Sequence, residues 1–155
     1  EAETKILSDQ LDFAISFIPF PQVELEYLKI KTIEMGVFYK NPKFKNLKLN
    51  ELPFVVPNSE IKNNPLSVKS RDGWPTEQPR NSLVTAGTLA AALSIVRSGA
   101  AAVFIPRFLG AELNEFEVNK KILEDSKRDI FIVKKKNLEE TKSMKAVAKI
   151  IRTSC

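Results

Sequence analysis

The segment Ser82–Leu109, SLVTAGTLAAALSIVRSGAAAVFIPRFL, restricts the possible folds more than any other part of the chain. Ser82 to Thr85 is a short apolar run that reads as a strand. Thr88 can cap a helix through its hydroxyl, and Leu89, Leu93 and Val96 recur on one face of that helix. Arg97 falls in the last turn, where a cation suits the helix dipole, and Gly99 offers a left-handed stop. Ala100 to Ile105 is an unbroken small-and-branched run, as a strand covered on both faces would be, and Pro106 ends it. Strand, capped helix, glycine, buried strand and proline make a βαβ unit. Its two strands are predicted to be parallel, with a right-handed crossover.

The rest of the chain fits an α/β architecture. Glu1 to Ser8 reads as the end of an amphipathic helix with Ile6 and Leu7 inward. Leu11 to Phe17 is a strand in which Leu11, Phe13, Ile15 and Phe17 alternate with Asp12, Ala14 and Ser16. Ile18-Pro19-Phe20-Pro21 breaks it; the aromatics there either pack on the core or line a cleft. Val23, Leu25 and Tyr27 alternate with Glu24 and Glu26, but the phase slips at Leu28, as a bulge would cause where a chain leaves one sheet. Ile33 to Tyr39 reads as the next strand, Asn46 to Leu52 as a helical turn and Pro53 to Pro57 as a short buried strand. Asn58 and Ser59 stand where a helix would begin, and Ile61 to Trp74 is a weakly patterned helix ending near Gly73. Trp74 reads as a packing residue. Pro106 to Leu113 suggests one or two helical turns, and Asp129 to Val133 is a buried strand. Asn137, with Glu140 three residues on, has the form of a capping box for a last helix whose stripe is Met144, Val147, Ala148 and Ile151.

What the chain lacks narrows its chemistry. It has no histidine, which removes histidine-based hydrolases, histidine zinc sites and histidine pH switches. Its one cysteine, Cys155, excludes an internal disulfide and fits a reducing compartment. No GxGxxG and no GxxxxGK[ST] occurs. No apolar run approaches the roughly 20 residues that span a bilayer, and EAETK at the start is not a signal peptide. Nothing in this pattern points to an enzyme, a cofactor or a metal. The net charge of +5 comes partly from Lys40, Lys43, Lys45 and Lys48 and from Lys134, Lys135 and Lys136. Such clusters can be nucleic-acid footprints, but without a helix-turn-helix signature they read as solvated strand and loop ends.

Two segments resemble one family. TAGTLAAALSIVRSGAAAVFIPRFL is similar to the second half of the effector-binding domain of LysR-type transcriptional regulators, where a loop leads into a small-residue helix, then glycine, then a buried strand ending in proline. ILSDQLDFAISF resembles that family's helix leading into an acidic strand motif, in which Asp12 takes a structural place. The match keeps one register from about Thr4 to Ile151.

The resemblance implies two Rossmann-like subdomains of the periplasmic-binding-protein (type 2) kind, joined by two crossovers. Subdomain I comprises residues 1–32 plus 127–155 and is incomplete at its N-terminus; subdomain II comprises 33–126. Compared with the family, the chain starts after the winged helix-turn-helix, the linker helix and the first βαβ elements, as a fragment of a longer regulator would. The crossovers are expected near Lys31–Glu34 and Ser126–Asp129, with Lys31, Thr32, Ile33, Arg128 and Asp129 as hinge. A small, anionic effector is expected in the cleft between subdomains, at the carboxyl ends of strands where helix N-termini point. Its candidate ligands are Ser16, Phe17, Val56, Asn58, Ser59, Thr85, Ala86, Gly87, Thr88, Pro106 and Phe108. Thr88 and Ser16 also have plainer roles, as N-cap and small strand residue. The implied protein is cytoplasmic and not an enzyme, forms a homo-dimer or tetramer, and meets DNA only through the absent N-terminal domain. A solute-binding receptor of a transporter has a similar bilobal fold and is the alternative.

Overall fold

The computed structural model describes residues 2–17, 19, 21–58, 70–119 and 126–154. In chain order the elements are α1 (Ala2–Leu7), β1 (Phe13–Ser16), β2 (Leu25–Tyr39), a 3-10 turn (Pro42–Asn46), β3 (Pro53–Pro57), β4 (Asn81–Ala86) and α2 (Leu89–Arg97). Then follow β5 (Val103–Pro106), α3 (Arg107–Glu112), β6 (Glu117–Val118), β7 (Lys127–Lys135) and α4 (Lys142–Ser154). They form two compact units, Glu1–Ile33 with Arg128–Cys155, and Glu34–Lys127. The chain passes from one to the other within β2 and back within β7.

In the first unit β7 lies between β1 and β2. It runs antiparallel to β1, with Phe13 opposite Lys134 and Ser16 opposite Phe131. Contacts between Glu24 and Lys136, Glu26 and Lys134, and Thr32 and Asp129 show that it is antiparallel to β2 as well. Each face of this small sheet is covered. Ile6 and Leu7 of α1 pack with Ala14, Leu25, Tyr27, Phe131 and Val133 on one face. Met144 and Ala148 of α4 pack with Phe13, Leu28, Ile30 and Ile132 on the other. That division explains the change of phase at Leu28 without a break between strands. β2 is one strand from Leu25 to Tyr39, whose odd residues Leu25 and Tyr27 serve the α1 face and whose even residues Leu28 and Ile30 serve the α4 face.

The α4 cap also differs from the expectation. Asn137 sits in a left-handed turn with φ 65°, and Thr141 is the residue whose Oγ1 accepts from the Met144 amide at 3.2 Å. A short turn after β7 uses the tolerance of asparagine for positive φ, which places Asn137 five residues before the helix begins and leaves the cap to Thr141. The stripe itself holds: Met144 and Ala148 are buried and Val147 and Ile151 half-buried. The 134–136 lysines do not make a basic surface. Lys134 is 5% exposed and donates to Glu26 at 2.6 Å and to the Leu138 carbonyl at 2.7 Å. Lys135 pairs with Asp9.

In the second unit β3 is central among parallel strands. It pairs with β4 in parallel, Val56 opposite Thr85 and Pro57 opposite Ala86. On its other side it bridges in parallel to Ala102, whose amide donates to the Pro53 carbonyl at 2.7 Å. Thus β4 and β5 are parallel as expected, and β3 lies between them. β5 then pairs antiparallel with β2, Gly36 opposite Ile105, and β6 flanks β2 at Phe38 and Tyr39. On one face Phe38, Val55, Val103 and Ile105 pack against Ala92, Leu93 and Val96 of α2. On the other, Trp74, fully buried, meets Phe54 and Phe104 edge to face at 5.0 and 5.1 Å. Deleting such an indole costs about 3–5 kcal/mol.

Several local expectations shift. The helical turn expected within Asn46–Leu52 is there as a single turn, the Glu51 and Leu52 amides donating to the Lys48 carbonyl at 3.0 and 3.1 Å; a 3-10 turn, Pro42–Asn46, precedes it, started by Asn41, which accepts from the Lys43 amide, and by Pro42 at its first position. Residues 70–74 are not helical; Ser70, Asp72 and Gly73 (φ 79°) form a turn, and the rest of the weakly patterned helix, 61–69, lies outside the described residues. In α2, Leu89 is 48% exposed and Ala92 takes the inner place beside Leu93 and Val96. β4 is exposed along nearly its whole length despite its apolar composition, and among the described residues it pairs only with β3.

Candidate functional site

Parallel strands deliver their carboxyl ends to one edge of a sheet, and in the second unit that edge gathers most of the candidate residues. β3 ends at Val56 and Pro57, half-buried, and continues into exposed Asn58. Beside it, in register, β4 ends at Thr85 and Ala86. Gly87 and Thr88 follow, both exposed, and turn the chain into α2. β5 ends at Pro106, from which α3 starts, carrying Phe108 with 41% of its surface exposed. Ser59 lies outside the described residues. Ser16 and Phe17 belong to the first unit, where they close β1 half-buried.

The Thr85–Thr88 loop leads into the N-terminus of α2. Thr88 is extended (φ −136°, ψ 155°) and its Oγ1 accepts from the Ala91 amide at 3.2 Å, while its carbonyl accepts from Ala92. The amides of Leu89 and Ala90, one and two positions into α2, have no intrahelical acceptor, as helix geometry dictates. They carry the positive end of a nine-residue helix. An added Cβ at Gly87 would meet no atom within 4 Å. Thr88 fills its plain role as cap.

Arg107 is a residue that the sequence reading passed over. It follows Pro106 at the same edge, 43% exposed, and its Nε lies 3.7 Å from Glu34 of β2. The only sequence signal was a basic residue directly after a strand-ending proline. It adds a cation beside the carboxyl end of β5.

The residues expected to form the hinge sit where β2 and β7 pass between units, and two of them are tied together. Thr32 Oγ1 donates to Asp129 Oδ1 at 2.6 Å, and Lys29 Nζ lies 2.8 Å from the same oxygen. The Lys29 bond first, and the Thr32 bond second, hold the Asp129 carboxyl below its ordinary pKa. Lys31 donates to the Arg152 carbonyl at the end of α4. Ile33 and Arg128 are buried, at 5% and 7% exposed. Among the described residues no group of three or more His, Cys, Asp or Glu side chains could hold a metal ion, and no helix is long and apolar enough to cross a membrane.

No protein-family model and no curated protein matches the sequence. Solved structures do match in fold. The regulatory domain of CrgA, a LysR-type transcriptional regulator from Neisseria meningitidis, superposes with a TM-score of 0.68 at 13% identity, over 98% of this chain and 79% of that one. The effector-binding domain of BenM with its effector benzoate gives 0.66 at 13% identity, over 96% and 72%. Full-length CbnR in complex with its target DNA gives 0.65 at 15% identity; there the match takes in 97% of this chain and 55% of CbnR, so the chain spans about half of that regulator. Two α/β units, between which the chain crosses twice, with antiparallel strands in the first and mixed ones in the second, have the periplasmic-binding-protein-like (type 2) fold of the regulatory domains of LysR-type transcriptional regulators.

Proposed function

We propose that this chain is the ligand-sensing domain of a LysR-type transcription factor. A small anionic effector is held at the strand-end edge of the second unit, by the Thr85–Thr88 loop with Asn58, Pro106 and Phe108. The observation that carries this reading is that three parallel strands end at one edge of the second unit's sheet, at Pro57, Ala86 and Pro106, and that α2 begins just after one of them. Such an edge is where open α/β sheets take ligands, and its free amides favour a carboxylate or other oxyanion. The effector biases two arrangements of a dimer or tetramer through its differential affinity for them, and DNA is bound by an attached winged helix-turn-helix. The protein acts in the cytoplasm and turns nothing over.

Gly87→Trp tests the site. The position has room for a side chain, so the substitution leaves the fold intact and blocks the loop. Small carboxylates and oxyanions (acetate, succinate, benzoate, sulfate, phosphate) are screened by thermal shift. A ligand at one hundred times its Kd stabilises by about 2.7 kcal/mol, which for a domain of this length raises Tm by about 5–10 °C. The expected result is a shift in the native protein that Gly87→Trp abolishes without changing the ligand-free Tm. Normal binding by the variant would refute the assignment.

A further inference from the structure

The outer side of α4 carries one sign of charge. Lys142, Lys145, Lys149 and Arg152 are all exposed, and the helix Lys142–Ser154 contains no acid. At 3.6 residues per turn the four fall within an arc of about 80° and along about 15 Å of helix axis. Met144 and Ala148 pack the helix on the sheet from another side, so the direction of the stripe is fixed. Among the described residues none of the four makes a side-chain ion pair. The acids Glu139 and Glu140 stand before the Thr141 cap, outside the helix. At the far end Lys31 of β2 donates to the Arg152 carbonyl at 3.3 Å and adds a further positive charge.

The composition of the stripe separates the anionic partners it could meet. A lipid surface takes an amphipathic helix by its apolar face, and that face of α4 is covered by Phe13, Leu28, Ile30 and Ile132. Protein interfaces are enriched in aromatic residues and depleted in lysine, whereas lysine dominates here and α4 has no aromatic residue. Single-stranded nucleic acid is held on aromatic platforms, which are missing for the same reason. A row of unpaired cations with nothing to stack on a base suits the phosphodiester backbone of a duplex, which is met by charge alone. We propose that α4 is a sequence-independent docking face for duplex DNA, additional to an attached winged helix-turn-helix. The choice of DNA as the duplex rests on the regulator reading above; the stripe itself owes nothing to the strand-end site. Each neutralised phosphate contributes about −0.9 to the slope of log affinity against log salt. Four contacts therefore give a slope of about −3.6, a loss of about 150-fold between about 50 and 200 mM salt.

The test titrates the 155-residue protein into fluorescein-labelled duplex DNA of two unrelated sequences and reads anisotropy across a salt series. Both duplexes should bind within about twofold of each other, with a slope of about −3.6. Lys145→Gln/Lys149→Gln should halve that slope to about −1.8, and Lys142→Gln/Arg152→Gln should do the same. Glutamine has nearly the helix propensity of lysine and arginine, so an unchanged Tm confirms that each variant is folded. Lys43→Gln/Lys45→Gln removes the same charge from the 3-10 turn of the second unit and should leave the slope as it is, which separates the stripe from the net charge of +5. Gly87→Trp should bind DNA like the native protein, so failure of the strand-end site and failure of this face are distinguishable. No binding at low salt, a slope indifferent to the α4 variants, or an equal loss from Lys43→Gln/Lys45→Gln would overturn the proposal. So would tighter binding to single-stranded DNA, duplex RNA, an acidic peptide or phosphatidylserine vesicles than to duplex DNA.

Discussion

Gly110 offers the sharpest test of how the second unit is packed. It lies in α3, and an ideal Cβ placed on it would stand 2.1 Å from Phe38 Cζ, 2.3 Å from Cε1 and 2.4 Å from Cε2. Carbon atoms in contact keep about 3.5–4.0 Å apart, so the overlap approaches about 1.5 Å. The Phe38 ring cannot swing clear at low cost, because it is 4% exposed and packed among Val55, Val103 and Ile105. Its near side is already tight, since a Cβ at Gly36 would lie 2.9 Å from Cε2. Helix propensity alone favours Ala over Gly by about 1 kcal/mol. Overpacking of this kind costs about 1–3 kcal/mol, and an overlap this deep belongs at or above the upper end. Gly110→Ala is therefore expected to destabilise by a net of about 2 kcal/mol and to lower Tm by about 4–8 °C. Urea unfolding followed by far-ultraviolet circular dichroism would measure it. In the Gly110→Ala background, Phe38→Leu should cost less than it does in the native protein, because the ring is the obstacle. A Gly110→Ala protein as stable as the native one, or strictly additive effects, would refute this account of α3 packing.

Two further perturbations follow from charged residues. Arg80 is buried beneath Phe54 and Trp74, its guanidinium 4.9 and 4.6 Å from their ring centres, and pairs with Asp72 at 2.6 Å. Asp72→Ala leaves that cation uncompensated and should cost about 3–5 kcal/mol; Asp72→Ala with Arg80→Met should cost less than Asp72→Ala alone, and a double-mutant cycle in urea would show the reverse if the pair were unimportant. For Asp129, a folded pKa below the unfolded value means that its contribution is present above the unfolded pKa and is lost as pH falls through the folded one. The stability gap between native protein and Asp129→Asn, at most about 1 kcal/mol for so exposed a pair, should shrink and close as pH falls below the ordinary carboxylate pKa and through the lowered folded one; a gap undiminished in strong acid in acid-urea titrations would contradict the Lys29–Asp129–Thr32 tie.

Local chemistry made much of the fold legible. Thr88 caps α2 and Gly99 ends it at φ 79°, because cap and stop are decided within four residues of themselves. Ala101 to Ile105 is buried throughout, as an unbroken apolar run in a covered strand must be. Where the reading went astray, a long-range partner decided. The phase change at Leu28 has the form of a bulge only if one face of the strand is assumed wet; α1 and α4 cover opposite faces of β2, so both parities are apolar in turn. Asn137 and Thr141 are both credible caps in isolation. The backbone needed a left-handed residue to leave β7, and that requirement took the asparagine.

The candidate site was legible as loops and not as a place. Thr85 to Thr88 announces itself, since a small-residue loop before a capped helix is a local pattern. That Asn58 and Pro106 should share an edge with it depends on β3 lying between β4 and β5. A crossover from β4 through α2 to β5 is equally compatible with adjacent strands, so strand order is settled by which hydrophobic faces fit together, a property of the whole unit. The same holds for charge. Lys29 and Asp129 are one hundred residues apart in sequence and 2.8 Å apart in space, and Arg107 gains meaning only beside Glu34. A lone charged residue carries no address for its partner, whereas an apolar stripe carries its period. For that reason helices and strands can be read from this chain one at a time, while the charged ties at the strand crossings and at the open sheet edge become visible only once the strands are laid side by side.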